Sequence, residues 1–280
     1  MSDGGSATRL TRILVTLHAS PSSLDWLEGA AAFAQRMNAE LLGLFVEDVG
    51  LLRLAGLPFA REVGTLTSRS EPLSLGEMEQ RLRAQASRAR EALSQVTARH
   101  RLHSTFRVAR GQVIGELLAA MEGVDAAALG GWGLETAHET QLGGSAQTLI
   151  DRASRPVLMV PPSGQVAPPI GVLYDGSPRA AKALEWAEEL ARRLGDLVVL
   201  LPARSAAAHQ AVAREVSAAG AGAQGAHRFQ ALPDAEMTTV LKAASALRLG
   251  TIVIPADGPT QELNALRLLL RNGIAVLLAR

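Results

Sequence analysis

The sequence predicts an α/β protein built as two repeated, doubly wound domains, each a five-stranded parallel sheet with helices on both faces. Three observations predict it. Residues 13–21 read ILVTLHASP and residues 170–178 read IGVLYDGSP, so Ile13 aligns with Ile170, Val15 with Val172, His18 with Asp175, and Ser20-Pro21 with Ser177-Pro178. A second echo, RASRPVLMV at 152–160 and RNGIAVLLA at 271–279, closes each half. A repeat this long is a duplicated domain rather than a short solenoid unit. Within each half, short aliphatic runs alternate with helical stretches, the pattern that right-handed βαβ crossovers turn into a parallel sheet.

Taken in order, residues 1–9 are small and polar and are expected to form a disordered tail, with the first domain spanning 10–162. The run 12–17 is rich in β-branched residues and reads as a strand buried on both faces. Pro21 and Ser22-Ser23 open a helix over about 23–37, since Ser is a good N-cap. The LLGLFV run at 41–46 is the next strand. Residues 48–75 hold Gly, Pro and Ser with weak periodicity and are expected to be a long excursion containing one helical turn. A long Arg-, Glu- and Ala-rich helix follows over about 75–100. Strand 104–109, helix 112–121, strand 124–130, a Gly-rich loop at 130–144, helix 145–153 and strand 156–161 complete the half. Residues 163–168 are the linker within a Pro-, Gly- and Ser-rich stretch, stiff in parts. The second domain, 169–280, repeats the order without the excursion. Its strands are expected near 170–174, 197–202, 227–231, 250–255 and 274–279, and its helices near 178–194, 205–219, 235–248 and 260–271.

Composition narrows the function. At 280 residues each half is large enough to bury a core of its own. The net charge of +1 gives no global attraction to nucleic acid or to an anionic membrane, and no nucleic-acid or membrane partner is expected. One Tyr and five Phe leave little material for stacking on single-stranded bases. The absence of Cys removes disulfides and thiolate metal sites and fits a reducing compartment. No run approaches the roughly 18 apolar residues of a membrane span, and the N-terminal MSDGGSATRLTR lacks a signal-peptide core, so a cytoplasmic location is expected.

Two places could carry chemistry. The first is the loop after the fourth strand of half one: Gly130-x-x-Gly133, nine residues, then Gly143-Gly144-Ser145. Glycine lets a backbone approach a ligand closely, and a glycine turn feeding a helix N-terminus aims amide N–H groups at an anion. The structural alternative is a tight strand-to-helix crossing that needs small residues. It is not a Walker loop, because no Gly-Lys-Ser/Thr occurs. The second place is the end of the first strand, His18-Ala19-Ser20 in half one and Asp175-Gly176-Ser177 in half two, where strand order reverses and ligands of such sheets bind. Here the alternatives are a turn or N-cap role for Asp175 and a partly buried, satisfied imidazole for His18. His100 and His103 straddle a helix end in an Arg-rich stretch and read as solvated surface rather than metal ligands. Trp26 and Trp186 read as packing residues of the first helices, while LLRLAGLPFA at 51–60 is apolar for a connector and reads as a lid or a partner surface.

On these residues the chain resembles a tandem universal stress protein. Asp175-Gly176-Ser177 after the first strand, Arg193-Leu194-Gly195 after the first helix, the Gly130/Gly133/Gly143 spacing and Arg155-Pro156-Val157-Leu158 before the last strand carry the resemblance, which covers residues 10–280. It implies a Rossmann-like fold of the adenine nucleotide alpha hydrolase type, a regulatory role in stress response and no catalysis. It also implies ATP, with Mg, held by the first-strand Asp and the Gly/Ser loop in those members that bind it. Carried over, the adenine-nucleotide site of half one comprises Leu17, His18, Val46, Gly130, Gly133, Gly143, Gly144 and Ser145, with Asp175 a weaker counterpart in half two. Half one departs from the pattern at His18, in place of Asp, and at Gly144, in place of Ser or Thr. Half two keeps Asp175, but its loop reads Pro255-Ala256-Asp257-Gly258-Pro259, so no ATP is expected there. The other reading is an interaction protein whose two sites are vestigial. The resemblance further implies edge-strand pairing across a two-fold axis, as a homodimer or, within one chain, as an internal pseudo-dimer through strands 156–161 and 274–279. A further protein partner is expected but not identified.

Overall fold

The computed structural model describes residues 10–17, 23–63, 70–72, 74–130, 148–202, 210, 213–214, 227–256 and 263–280. Ten strands form one sheet. In half one they are β1 (Arg12–Thr16), β2 (Glu40–Asp48), β5 (Ser104–Gly111), β6 (Ala126–Gly130) and β7 (Val157–Val160). In half two they are β8 (Ile170–Leu173), β9 (Leu197–Pro202), β10 (Arg228–Leu232), β11 (Thr251–Pro255) and β12 (Ala275–Ala279). The order across the sheet is β10-β9-β8-β11-β12-β7-β6-β1-β2-β5. Read outward from the middle, the two halves have the same order, and within each half every pairing is parallel.

The seam is the single antiparallel pairing of the sheet, β7 with β12. Its register places Leu158 opposite Leu277, Val157 opposite Leu278 and Met159 opposite Val276. The closing echo of the sequence aligns Leu158 with Leu277 and Val157 with Val276. Leu158 therefore faces its own repeat equivalent, and the pseudo-two-fold axis passes through that pair. The two terminal strands expected to pair internally do so.

Helices cover both faces. α1 (Ser23–Met37), α3 (Leu75–His100) and α5 (Pro178–Leu194) lie on one face; α4 (Val113–Met121), a helical segment at 148–152, α6 (Met237–Ala246) and α7 (Leu263–Arg271) lie on the other. In α3, Leu82, Ala86, Ala89, Leu93 and Val96 are buried at alternating spacings of four and three, one stripe of a helix facing the sheet. The N-terminus of α5 is built as its sequence suggests: Pro178 opens it, and the Ser177 hydroxyl accepts from the Ala180 amide at 3.1 Å.

The expectation of a separate core for each half gives way to a different arrangement. Among the described residues there are two cores, one per sheet face, and each draws residues from both halves. The cause is the seam: once β7 and β12 pair, each face is continuous, and apolar side chains from both sides of the axis bury one another. The linker joins in. Val166 is buried, the Thr251 hydroxyl donates to the Ala167 carbonyl at 2.9 Å, and the Ala167 amide donates back at 3.2 Å. A Cβ on Gly29 of α1 would sit 1.5 Å from the Gly164 carbonyl oxygen, so this strap lies directly on the first helix.

The excursion holds more structure than one turn. It contains α2 (Val49–Ala55), capped by Asp48, whose carboxylate accepts from the Gly50 amide at 2.7 Å, and a two-stranded antiparallel hairpin, β3 (Arg61–Val63) with β4 (Ser70–Pro72). Strands of three residues are too short for a period-two pattern to register in sequence.

Candidate functional site

Strand order reverses between β1 and β6 in half one and between β8 and β11 in half two. From these points the chain leaves to opposite faces: β1 leads to α1, whereas β6 leads to the helical segment 148–152 on the α4 face. Each reversal opens a crevice at the carboxyl ends of the strands. Because the halves meet through an antiparallel pair, those ends point in opposite directions, and the two crevices lie at opposite edges of the sheet.

In half one, Leu17 immediately follows β1, Val46 lies near the end of β2 and Gly130 ends β6, and these three strands are adjacent. Leu17 is buried, and its amide donates to the Leu44 carbonyl at 2.9 Å. Its side chain belongs to the core on the α1 face, while Val46 packs, half-buried, on the α4 face. Gly130 is buried, and a Cβ there would lie 2.1 Å from Cγ of Trp26. Trp26 thus closes over Gly130 as a packing residue, and the need for glycine at 130 has a steric cause within the fold itself. His18, Gly133, Gly143, Gly144 and Ser145 lie outside the described residues, as does Trp132.

In half two, the Asp175 carboxylate accepts from the Ser177 amide at 2.9 Å across Gly176, whose φ of +84° suits the turn. Asp175 is exposed. The turn role set against ligand binding in the sequence is the one it fills among the described residues. Pro255 ends β11 where Gly130 ends β6, so the equivalent position has no amide N–H to offer.

Sequence reasoning missed Thr16. It is the last residue of β1, 2% exposed, and its hydroxyl has no hydrogen-bond partner among the described residues. The signal was available in the repeat, which aligns Thr16 with Leu173, a polar residue against an apolar one in a strand buried on both faces.

Several other charged groups join elements of the fold. Glu28 of α1 receives Arg99 at 2.7 Å and the His100 ring at 2.8 Å, and His100 also meets Gln35 at 3.2 Å. The expected solvated surface at His100 is instead a clamp between α1 and the end of α3. The hydrogen bond from Arg99 holds the Glu28 carboxyl below the usual range, with burial opposing and His100 assisting. Asp125 accepts from the Thr11 hydroxyl at 2.6 Å, the Thr11 amide at 2.7 Å and the Arg12 amide at 2.9 Å. Burial alone would raise its pKa, but those three bonds outweigh it and hold it low. Arg110 bridges Glu47 at 2.8 Å and Glu79 at 3.3 Å. Among the described residues no group of three His, Asp or Glu is arranged to hold a metal, and no helix is long and apolar enough to cross a membrane.

No protein-family model and no curated protein matches the sequence. Solved structures do match the fold. A universal stress protein from Archaeoglobus fulgidus aligns over 98% of this chain and 97% of its own, with a TM-score of 0.68 and 15% identity. A protein of unknown function from Pseudomonas aeruginosa PAO1 aligns over 99% and 94%, with a TM-score of 0.58 and 14% identity. A provisional universal stress protein from Pseudomonas aeruginosa UCBPP-PA14 aligns over 98% and 95%, with a TM-score of 0.57 and 16% identity. The two-fold repeat, the mirrored strand order and the antiparallel seam are thus those of a chain with the tandem universal stress protein fold.

Proposed function

We propose that the chain is a regulatory protein of the universal stress type, working in the cytoplasm, that binds an adenine nucleotide in the half-one crevice alone and catalyses nothing itself. The observation that carries this reading is the contrast between the two crevices. In half one, Leu17 follows β1, Val46 lies near the end of β2 and Gly130 ends β6, and the chain then runs through the glycine-spaced segment to the helix at 148–152. In half two, Pro255 occupies the position of Gly130, and Asp175 is engaged in a turn. A glycine segment feeding a helix N-terminus supplies backbone N–H groups to phosphate oxygens; Pro and Asp in its place remove a donor and add repulsion. The unpartnered Thr16 hydroxyl beside the half-one crevice fits a ligand there. Mg²⁺ would arrive on the phosphates of ATP, since the described residues offer it no cluster of their own.

The test is nucleotide content. Freshly purified protein is denatured, the released small molecules are identified by mass spectrometry, and the emptied protein is titrated with ATP–Mg by calorimetry. About one nucleotide per chain is expected, lost on Gly133→Val together with Gly143→Val. Absence of both nucleotide and heat at millimolar ATP would sink the reading. Gly130 is unsuitable for this test, because any side chain there strikes Trp26.

A second reading, an interaction protein without nucleotide, is favoured by Leu51, Leu54, Leu57 and Phe59, large apolar side chains left exposed in and after α2. On it, the surface of half one engages a protein partner or a second copy of the chain. Sedimentation of the intact protein, with and without Leu54→Glu and Phe59→Glu, tests self-association directly.

A further inference from the structure

A sheet ends where its last strand has no neighbour, and the backbone groups on that side go without ladder bonds. β5 is such a strand. It closes one end of the ten-stranded order, runs for 8 residues and pairs with β2 alone. The Leu41 amide donates to the His103 carbonyl at 3.0 Å, which sets the phase of that pairing. Bonding residues alternate along a parallel ladder, so Thr105, Arg107 and Ala109 turn their N–H and C=O groups to β2. Ser104, Phe106, Val108 and Arg110 turn theirs outward. Among the described residues, the outward groups of Phe106 and Val108 meet no partner. Side chains alternate as well. Phe106 packs on the α3 face, with the Arg90 guanidinium 5.0 Å from the centre of its ring, and Val108 on the same face is 40% exposed. Arg107 lies exposed on the α4 face. The edge is basic. Arg110 occupies both Glu47 and Glu79, whereas neither Arg90 nor Arg107 has an ion-pair partner among the described residues. β5 itself, STFRVARG, carries two Arg and no acidic residue.

We propose that the outer edge of β5 takes up an extended segment of a partner protein as an added strand, and that this segment alternates apolar and acidic residues. In strand addition, backbone hydrogen bonds supply affinity and alternate side chains supply specificity. The apolar residues of the segment lie beside Phe106 and Val108 on one face, and its acidic residues lie beside Arg107 on the other. A second copy of this chain fits less well. The sheet ends at β5 and β10, and β10, RFQAL, also carries an Arg and no acidic residue. Neither β5 nor β10 of another copy brings a carboxylate to Arg107. Charge on an edge commonly guards against such self-pairing, and a basic guard admits an acidic strand. The inference does not rest on the nucleotide reading, since β1 and β2 separate β5 from the crevice.

The experiment titrates the full chain into short fluorescein-labelled peptides and follows their anisotropy. One peptide alternates Val and Glu, one alternates Val and Lys, and one holds the same Val and Glu in two blocks. The alternating Val–Glu peptide is expected to bind saturably, with the Val–Lys peptide at least roughly tenfold weaker. Arg107→Glu is expected to weaken the Val–Glu peptide roughly 3- to 10-fold and to strengthen the Val–Lys peptide. Val108→Pro removes an outward N–H while leaving the ladder to β2 in place, and is expected to abolish binding in a chain that thermal unfolding shows to be folded. If Val108→Pro does not fold, Arg107→Glu decides the matter. No binding of the Val–Glu peptide at millimolar concentration overturns the proposal, as does an unchanged affinity in Arg107→Glu. Equal binding of the blocked peptide overturns the added strand, and equal binding of the Val–Lys peptide overturns the acidic partner. Sedimentation that shows self-association of the unsubstituted chain, lost in either variant, assigns the edge to a second copy and overturns the proposal too.

Discussion

Gly130 answers to two demands at once. It ends β6 at the mouth of the half-one crevice, and it lies under the Trp26 ring with no room for a Cβ. Gly130→Ala is therefore expected to destabilise the protein by roughly 1–3 kcal/mol, the usual range for overpacking, whether or not nucleotide is present. A denaturant midpoint unchanged within error would show that Trp26 yields freely. The glycine spacing was legible in the sequence, but the cause at its first position was not. Only the fold brings a residue of α1 onto the end of β6, more than a hundred positions away. Thr16 was hidden differently. A β-branched residue at the end of a strand reads as a strand former; the repeat, which sets Thr16 against Leu173, marks a polar residue out of place, and the packing then leaves its hydroxyl without a partner among the described residues.

At the scale of elements, the central strands could be read because they are short apolar runs buried on both faces, and such runs announce themselves; the edge strands β5 and β10 are largely exposed and are marked only by their place in the repeat. The hairpin β3–β4 could not be read, since strands of three residues are too short to show an apolar period. The clamps that join elements were equally silent, because ion pairs between distant positions leave no local pattern. Two of them respond to acid. Asp125 ties the start of β6 to the start of β1, and Glu28 ties α1 to the end of α3. Both carboxyls are held low in the folded chain. Their contribution is thus complete above the ordinary carboxylate range and is lost as the pH falls through the lower folded values. Denaturant unfolding followed from neutral pH downward is expected to show stability falling in that acid range. Asp125→Ala and Glu28→Ala should each be less stable at neutral pH and should each flatten the acid limb. An acid limb of unchanged slope in both variants would place the acid sensitivity elsewhere.

For the whole molecule, shared cores predict shared fate. The sequence shows two domains, and the repeat makes the duplication plain, but the merging of cores follows from the seam and the strap. With Leu158 and Leu277 side by side on the axis, Val166 buried and Thr251 bonded to the linker backbone, neither half has a complete surface of its own. Calorimetry on the full chain is expected to give one unfolding transition whose calorimetric and van't Hoff enthalpies agree. Two resolved transitions would show the halves unfolding independently. Leu277→Ala, which opens the seam at its centre, should lower stability by roughly 2–5 kcal/mol and lower that one transition rather than split it.

The antiparallel seam also gives the molecule a direction. A symmetric pair of identical one-domain chains presents two indistinguishable ends, and anything that meets one meets the other. Here the ends have drifted apart in chemistry, glycine-spaced at one and proline-blocked at the other, while the sheet between them holds the two poles rigidly opposed. The duplicated chain is accordingly a vector rather than a dumbbell. On the proposed nucleotide reading, a partner that senses the ligand would approach from the half-one end, and the far end would be free to serve as a handle without competing for it.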